Sequence, residues 1–357
     1  IALVRASDFA GGFVPGPVTR LDEGMTDFYP QIKDIERIDG QVVAVTYGGF
    51  VHFNEDTRAW ESVQSLRTYN RKLTPSLALY ETGLSAGGSY TWHYSLDQAR
   101  TFQEMPSFGD VVDNYGFSAE VFIGTTAFQM VRMPAPEGES YDLQPFNLFS
   151  IDLGASTPSW TLVQSFAHDF FGTGWNPQLV SSDVAGELYI IACPQMDWEN
   201  PPTDNCTARR STTGGTTWEA MADLPVPGAR DIKGTDNGFV FTYRPPSDGV
   251  APQSAYWYHQ DTQSVSSVTY PEGQWVSTYD IDGEDLLQMT YAQSVESVFE
   301  PGMLPSLGNQ EIRRLKSDGT NELLVTLNST EGPGDTANIE VGAGLIILNA
   351  STVWLVE

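Results

Sequence analysis

A strand–turn–strand unit recurs along this chain, and it leaves little room for anything but β structure. Residues 35–47 read as a strand, an Asp-Gly turn and a second strand, and 279–291 repeat that order closely. Residues 231–243 follow the same plan. Looser copies span 179–193, 111–123, 338–348 and 71–80, the last with Pro75 at its turn. Short alternating or wholly apolar runs, bounded by Gly, Pro, Asn and Asp, are the pattern of short strands.

Most of these hairpins lead into a second pair of such runs: 50–53 then 59–63, 90–94 then 101–105, 147–151 then 159–163, 207–210 then 217–221, 255–258 then 264–268, and 311–315 then 322–327. Four strands per unit, repeated at a spacing of tens of residues, describe a propeller blade. A lone blade cannot bury both of its faces. A closed ring of blades can, and it hides most strand edges. The last unit, 338–348 with 352–356, falls one strand short, and residues 2–5 are placed to supply it. The expectation is an all-β fold: a single β-propeller domain over 1–357, with about seven four-stranded blades closed by pairing of the N- and C-terminal strands.

Charge narrows the partners. Asp and Glu outnumber Lys and Arg 46 to 18, for a formal net charge of −28. Such a surface repels nucleic acid and anionic lipid, which argues against both as partners. No stretch of apolar residues is long enough to span a bilayer, so no membrane insertion is expected. Ile1 in place of Met fits a processed signal peptide or a trimmed chain. Cys193 and Cys206 bracket a segment rich in Pro, Asn and Asp. A disulfide stapling that segment is favoured over two free thiols or a metal pair. It implies an oxidising compartment, hence a secreted, periplasmic or cell-surface location. Asn205, Asn328 and Asn349 begin Asn-x-Ser/Thr acceptor triplets, which matter only in a glycosylating host.

Two blades carry a sharper signature between their third and fourth strands. Residues 211–218 read Ser-Thr-Thr-Gly-Gly-Thr-Thr-Trp and 95–102 read Ser-Leu-Asp-Gln-Ala-Arg-Thr-Phe; 54–60 form a looser relative. Both octapeptides resemble the Asp-box, S-x-D-x-G-x-T-W, of sialidase-type (BNR-repeat) β-propellers, a motif also found in sortilin-like receptors and photosystem assembly propellers. The expected structural residues are Ser95, Asp97, Thr101 and Phe102 in one copy, and Ser211, Gly215, Thr217 and Trp218 in the other. In such a turn the Asp and Ser/Thr side chains bond backbone groups, the Gly takes a positive φ, and the aromatic packs between sheets. Thr213 stands where Asp is usual, and Ala99 and Phe102 stand where Gly and Trp are usual. The resemblance implies a fold and a rim position away from the central cleft. It implies nothing about chemistry.

Catalytic patterns are sparse. Sialidase chemistry needs three arginines on a carboxylate, a Tyr activated by a Glu, and an Asp acid/base. The Arg-Ile-Pro motif of that class does not occur, and Arg132 and Arg244 are the nearest candidates for a cleft-facing arginine. His52, His93, His168 and His259 lie far apart without metal-ligand spacing, and packing is their default role. His168 and Asp169 are the one sequence-adjacent pair suited to acid/base work. No nucleophile elbow, P-loop or dinucleotide fingerprint is present. Asp280, Asp282 and Asp285 form a cluster that could hold Ca²⁺, against the plainer reading of an ordinary turn; no other cofactor is expected.

Long connections are the better candidates. The segment 166–177 carries Phe170, Phe171 and Trp175, and the cysteine-bracketed segment carries Trp198. Exposed aromatics suit stacking on sugar rings or docking a protein. The leading expectation is an exported, non-enzymatic propeller that binds a protein or glycan partner, such as a subunit of a cell-envelope or extracellular assembly. The alternative is a glycoside hydrolase or lyase with carboxylates in the central cleft. A purely structural spacer is the third reading.

Overall fold

The computed structural model describes residues 18–20, 32–46, 48–54, 56–57, 59–65, 71–82, 91–106, 117–134, 144–167, 170–171, 176–182, 186–194, 204–243, 254–270, 274–292, 310–327, 338–342, 345–349 and 353–356. Every regular element among them is a strand. β1 (Val18–Arg20) is followed by β2 (Ile32–Ile38), β3 (Gln41–Thr46), β4 (Gly49–Asn54) and β5 (Ala59–Ser65). Next come β6 (Arg71–Thr74), β7 (Leu77–Thr82), β8 (Thr91–Ser95) and β9 (Gln103–Glu104), then β10 (Phe117–Ile123), β11 (Thr126–Arg132), β12 (Phe146–Asp152) and β13 (Thr161–Phe166). β14 (Asn176–Ser182), β15 (Glu187–Cys193), β16 (Thr207–Ser211) and β17 (Glu219–Ala220) precede β18 (Arg230–Thr235), β19 (Gly238–Tyr243), β20 (Ser254–His259) and β21 (Ser264–Thr269). The chain finishes with β22 (Gln274–Asp282), β23 (Asp285–Ala292), β24 (Gln310–Leu315), β25 (Asn321–Leu327), β26 (Asn338–Gly342), β27 (Leu345–Asn349) and β28 (Val353–Val356).

These strands form antiparallel four-stranded meanders, the blades of a β-propeller. Six blades are built from consecutive strands: β2–β5, β6–β9, β10–β13, β14–β17, β18–β21 and β22–β25. Together with the composite sheet described next, the described strands make seven four-stranded sheets. One further four-stranded sheet is composite, in the order β1-β28-β27-β26, so strands from the two ends of the chain do pair. The N-terminal contributor is Val18–Arg20, in register with Trp354–Val356, and not residues 2–5, which lie outside the described residues. A second correction concerns 111–123, expected as one hairpin. Phe117–Ile123 is a single strand, and the turn falls at Gly124-Thr125, where Gly124 takes φ +57°. Gly124 has the left-handed conformation that a two-residue connection demands.

The chain divides into two compact units, Ile1–Glu104 with Tyr270–Glu357, and Met105–Thr269. In unit 1 the first strands of successive sheets, β22, β26, β2 and β6, are neighbours in that order; in unit 2 they are β10, β14 and β18. Second strands are buried along nearly their whole length: β3, β11, β15 and β19 show at most one or two half-buried residues each. Each lies inside its sheet with neighbours on both faces, which is why Val42-Val-Ala-Val45 and Leu188-Tyr-Ile-Ile-Ala192 read as unbroken apolar runs and do not alternate. Fourth strands face solvent, and β21 contains no buried residue.

Each meander has two kinds of end. Tight turns at 39–40, 75–76, 124–125, 236–237 and 283–284 join first to second strands at one end. Second-to-third connections, such as 83–90, 133–145 and 194–206, leave from the other, here termed the loop end. Asp39 (φ +47°) and Gly40 (φ +82°) show why Asp-Gly suits the tight end: both residues of the turn are left-handed.

Candidate functional site

The most reactive-looking side chains of unit 1 gather where β2 and β6 run side by side. The carboxylate of Asp34 accepts a 2.6 Å hydrogen bond from the backbone N–H of Leu73. This bond spans two sheets and sets Asp34 of β2 level with Leu73 of β6. The preceding residues, Lys33 at a bulge of β2 and Lys72 of β6, are level in the backbone near the loop end, although alternation puts Lys72 on the sheet face opposite Arg71 and Leu73. Lys33 is exposed and Lys72 half-buried. Arg71, beside Lys72, donates to the carbonyl of Thr46 at the loop end of β3. Three cations so placed stand out in a chain of net charge −28.

Arg71 also heads a rung that crosses the whole sheet. The register pairs Arg71 with Tyr80, Tyr80 with His93, and His93 with Glu104. Directly opposed residues share a sheet face. The rings of Tyr80 and His93 accordingly stack, with centroids 4.6 Å apart and planes 3° from parallel. Phe102 meets Tyr80 edge-on at 4.8 Å and fixes the stack from the side. Burial pushes the Tyr80 phenol above its ordinary pKa, so it stays protonated.

His93 differs from the other described histidines. His52 Nε2 is 2.7 Å from the Gln98 carbonyl, and His259 Nε2 is 2.9 Å from Ser266 Oγ. Neither ring nitrogen of His93 has a hydrogen-bond partner among the described residues, and its Nδ1 is sealed from solvent. An imidazole held by stacking, with its nitrogens uncommitted, is available for proton transfer. Sequence reasoning missed this group. Lys33 and Lys72 are far apart in the chain, and only the Asp34–Leu73 bond reveals that they are level. His93 read as a packing residue because its uncommitted nitrogens are a property of its surroundings.

The two octapeptide turns lie at the opposite, turn end of their sheets. In the first, Ser95 Oγ accepts from the Ala99 N–H at 3.0 Å and donates to Asp97 at 2.7 Å; Asp97 in turn accepts from the Thr101 N–H at 2.8 Å and from its hydroxyl at 2.6 Å. Burial pushes Asp97 up, but these bonds outweigh it and hold the carboxyl below its ordinary range. The second turn repeats the scheme with a hydroxyl in place of the carboxylate: Ser211 Oγ accepts from Gly215 N–H at 2.8 Å, and Thr213 Oγ1 accepts from Thr217 N–H at 3.0 Å. Trp218 Nε1 donates to the Gly215 carbonyl at 2.9 Å. The left-handed positions are Gln98 (φ +62°) and Ala99 (φ +64°) in one, Gly214 (φ +62°) and Gly215 (φ +85°) in the other. Seven of the eight expected residues take part in the hydrogen bonds of a turn, and Phe102 packs on Phe50 and Tyr80.

In unit 2, Cys193 and Cys206 form the expected disulfide. Phe171 is only 4% exposed and packs in a core cluster with Phe146 and Phe166, so it is corrected from an exposed binding aromatic to a core residue. Phe170 is half-buried against Phe166 at 5.0 Å, with the Arg209 guanidinium 4.1 Å above its ring. Trp175, Trp198, His168 and Asp169 lie outside the described residues. A Tyr–Glu–Arg cluster also occurs: Tyr189 donates to Glu187 at 2.6 Å, and Arg210 forms two bonds to the same carboxylate, one of 2.9 Å from Nε. Burial raises Glu187, yet the bonds from Arg210 and Tyr189 hold it below its ordinary pKa. Tyr189 is 0% exposed and Glu187 stands at the turn end, so the cluster braces the sheet and cannot meet a ligand.

Of the three aspartates considered for Ca²⁺, Asp280 and Asp282 sit on β22, and their side chains are outside the described ones. Asp282 opposes Asp285 across the turn at Gly283-Glu284, and Asp285 pairs with Arg314 at 3.6 Å. These are the marks of a turn braced by an ion pair.

No family model matches this chain, and no curated protein matches it in sequence. Solved structures do match in fold. An oligogalacturonate lyase from Vibrio parahaemolyticus superposes with a TM-score of 0.58 at 9% identity, covering 95% of this chain and 93% of that one. A GH74 xyloglucanase from Xanthomonas campestris gives 0.53 at 13% identity, covering 95% of this chain and 53% of that one, so this chain spans about half its length. At such identities the likeness establishes the β-propeller fold. Both neighbours are enzymes by name, which counts against the expectation of a non-enzymatic binder and in favour of its enzymatic alternative.

Proposed function

We propose that this protein is a carbohydrate-cleaving enzyme of the lyase type, acting on a polymer that contains uronic acids at the loop end of unit 1. The observation that carries the reading is the Arg71–Tyr80–His93 rung, with Lys33 and Lys72 at the same end of the strands. Elimination next to a sugar carboxylate needs a cation to neutralise that carboxylate, because the adjacent C–H is acidic only when its carbanion is stabilised. It also needs a base to take the proton. Arg71, on the same sheet face as His93, supplies the charge, with Lys33 and Lys72 adding to it at that end of the strands. His93 takes the proton from the carbon next to the carboxylate; the electron pair of the broken C–H bond forms a double bond to the neighbouring carbon as the glycosidic C–O bond breaks with its pair on oxygen, and the proton passes to that leaving oxygen. Tyr80, stacked and protonated, positions the imidazole. The oligogalacturonate lyase of like fold supports the substrate class.

Hydrolysis is the second reading, favoured by the carboxylates of Asp34 on β2 and Glu81 on β7 and by the xyloglucanase of like fold. Product analysis separates them. The chain is incubated with polygalacturonate and with xyloglucan, and the oligosaccharides are weighed by mass spectrometry. Products of polygalacturonate lighter by one water, with the ultraviolet absorbance of an unsaturated uronate, are expected. Hydrated products, or cleavage of xyloglucan alone, would replace elimination by hydrolysis.

A further inference from the structure

Arg209 is a half-buried arginine of unit 2. Other arginines on described strands are engaged: Arg210 by Glu187, Arg313 by Glu311, and Arg37 by the Gly40 carbonyl. Arg209 has no hydrogen bond or ion pair from its side chain among the described residues. Its guanidinium instead lies 4.1 Å over the ring of Phe170. A guanidinium over an aromatic face gains a cation–π contact while its N–H groups stay able to donate.

Both halves of this pair are held in place. Phe170 rests on Phe166 at 5.0 Å and meets Phe171 edge-on at 4.9 Å, and its N–H bonds the Ala167 carbonyl at 3.0 Å. Arg209 lies in β16, three residues beyond Cys206. That cysteine is tied to Cys193 by the disulfide and to the segment 224–226 by two backbone bonds, its N–H to the Val226 carbonyl at 2.8 Å and its carbonyl to the Leu224 N–H at 2.9 Å. A fork whose geometry is fixed before binding loses little freedom when a ligand arrives. The chemical match for a planar fork is a carboxylate, held by two parallel bonds.

We infer that Arg209, braced on Phe170, is a carboxylate-binding site of unit 2 for acidic sugars. The identity of the ligand rests on the function proposed above; the fork and its support do not. Phe170 thus contributes as the platform beneath a cation, and its ring is not the open face on which a sugar would stack.

Titration calorimetry with trigalacturonate as the probe tests the site. Wild type is compared with Arg209→Gln, Arg209→Lys, Phe170→Leu and the double variant Lys33→Ala/Lys72→Ala, each checked by thermal melting. Arg209→Gln is expected to weaken binding about tenfold or more, the loss of one bidentate charged contact. Arg209→Lys should recover part of the affinity, since it restores charge without the fork. Phe170→Leu should weaken binding several-fold, to about the extent of a cation–π contact. Unchanged affinity in Arg209→Gln, with a loss in the double lysine variant, would overturn the site and leave the proposed function standing. No binding of trigalacturonate to wild type would overturn both.

Discussion

The seam between sheets β2–β5 and β6–β9 in unit 1 and the seam between β10–β13 and β14–β17 in unit 2 join equivalent blades by different chemistry. In unit 1 the seam has a buried apolar cluster, with Val45, Phe50, Leu73 and Tyr80 among its members, and is sewn in addition with side-chain-to-backbone bonds. Asp34 reaches the Leu73 N–H, Arg71 the Thr46 carbonyl and His52 the Gln98 carbonyl. In unit 2 the seam is an apolar interlock. Phe128, Leu148, Phe166 and Leu188 belong to one buried cluster, and Leu148 fills the place where Gly215 has no side chain. The same kind of octapeptide turn is thus docked by a histidine in one unit and by a leucine in the other. The sealed seam offers no chemistry. The sewn seam brings charged groups to its surface and leaves His93 uncommitted, which is why the candidate site belongs to unit 1.

Gly215→Ala should have the largest effect. A methyl there collides with Leu148 Cδ2, and the residue holds φ +85°. Strain and overpacking together are expected to cost about 2–4 kcal/mol, read by denaturant unfolding. Leu148→Val should relieve part of that cost in a double-mutant cycle; additive effects would mean that the interlock is not the cause.

Asp34→Ala breaks the sewn seam in the same sense. It leaves the N–H of Leu73, a residue only 6% exposed, without its charged acceptor. The expected cost is about 1.5–3 kcal/mol, with Asp34→Asn milder. A loss below that range would make the bond incidental to the seam.

A third expectation follows from pH. Burial lowers the pKa of His52, and the nearby Arg100 adds to that; the bond to Gln98 and the charge of Glu61 oppose it. The folded-state pKa is therefore below the ordinary value, and the unfolded chain binds the proton first as pH falls. Stability from neutral His52 is full above about pH 6.5, the ordinary histidine range, and declines as pH falls through the lower folded value. His52→Asn should flatten that decline, measured as melting temperature against pH. An unchanged slope would assign it to the carboxylates.

The smallest effect is a gain. Gln98 holds φ +62°, a left-handed conformation that its counterpart Gly214 adopts without penalty. Gln98→Gly should stabilise by up to about 1 kcal/mol. Destabilisation would show that the side chain contributes packing that outweighs the backbone strain.

Much of the fold was legible because its determinants are local. The Asp39-Gly40 turn, the cysteine pair and the two octapeptides depend on residues close in sequence, and the structure bears out each as a turn or a bond. What was not legible depends on partners distant in the chain. Phe171 and Phe170 are adjacent and look alike in sequence, yet one is core and the other a platform, because Arg209 lies over only one of them. The Arg71–Tyr80–His93 rung needs the strand register, and the level of Lys33 with Lys72 needs the bond from Asp34 to Leu73. Neither follows from periodicity, which reports burial and not which strands meet.

The most direct test of the central claim, that the sewn seam of unit 1 carries the chemistry, is the rate of unsaturated-uronate formation from polygalacturonate by wild type and by His93→Gln, with matched melting temperatures. The account predicts a fall in kcat of about 100-fold or more, the usual contribution of a proton-transfer group, with KM little changed. A folded His93→Gln variant that turns over at the wild-type rate would contradict it.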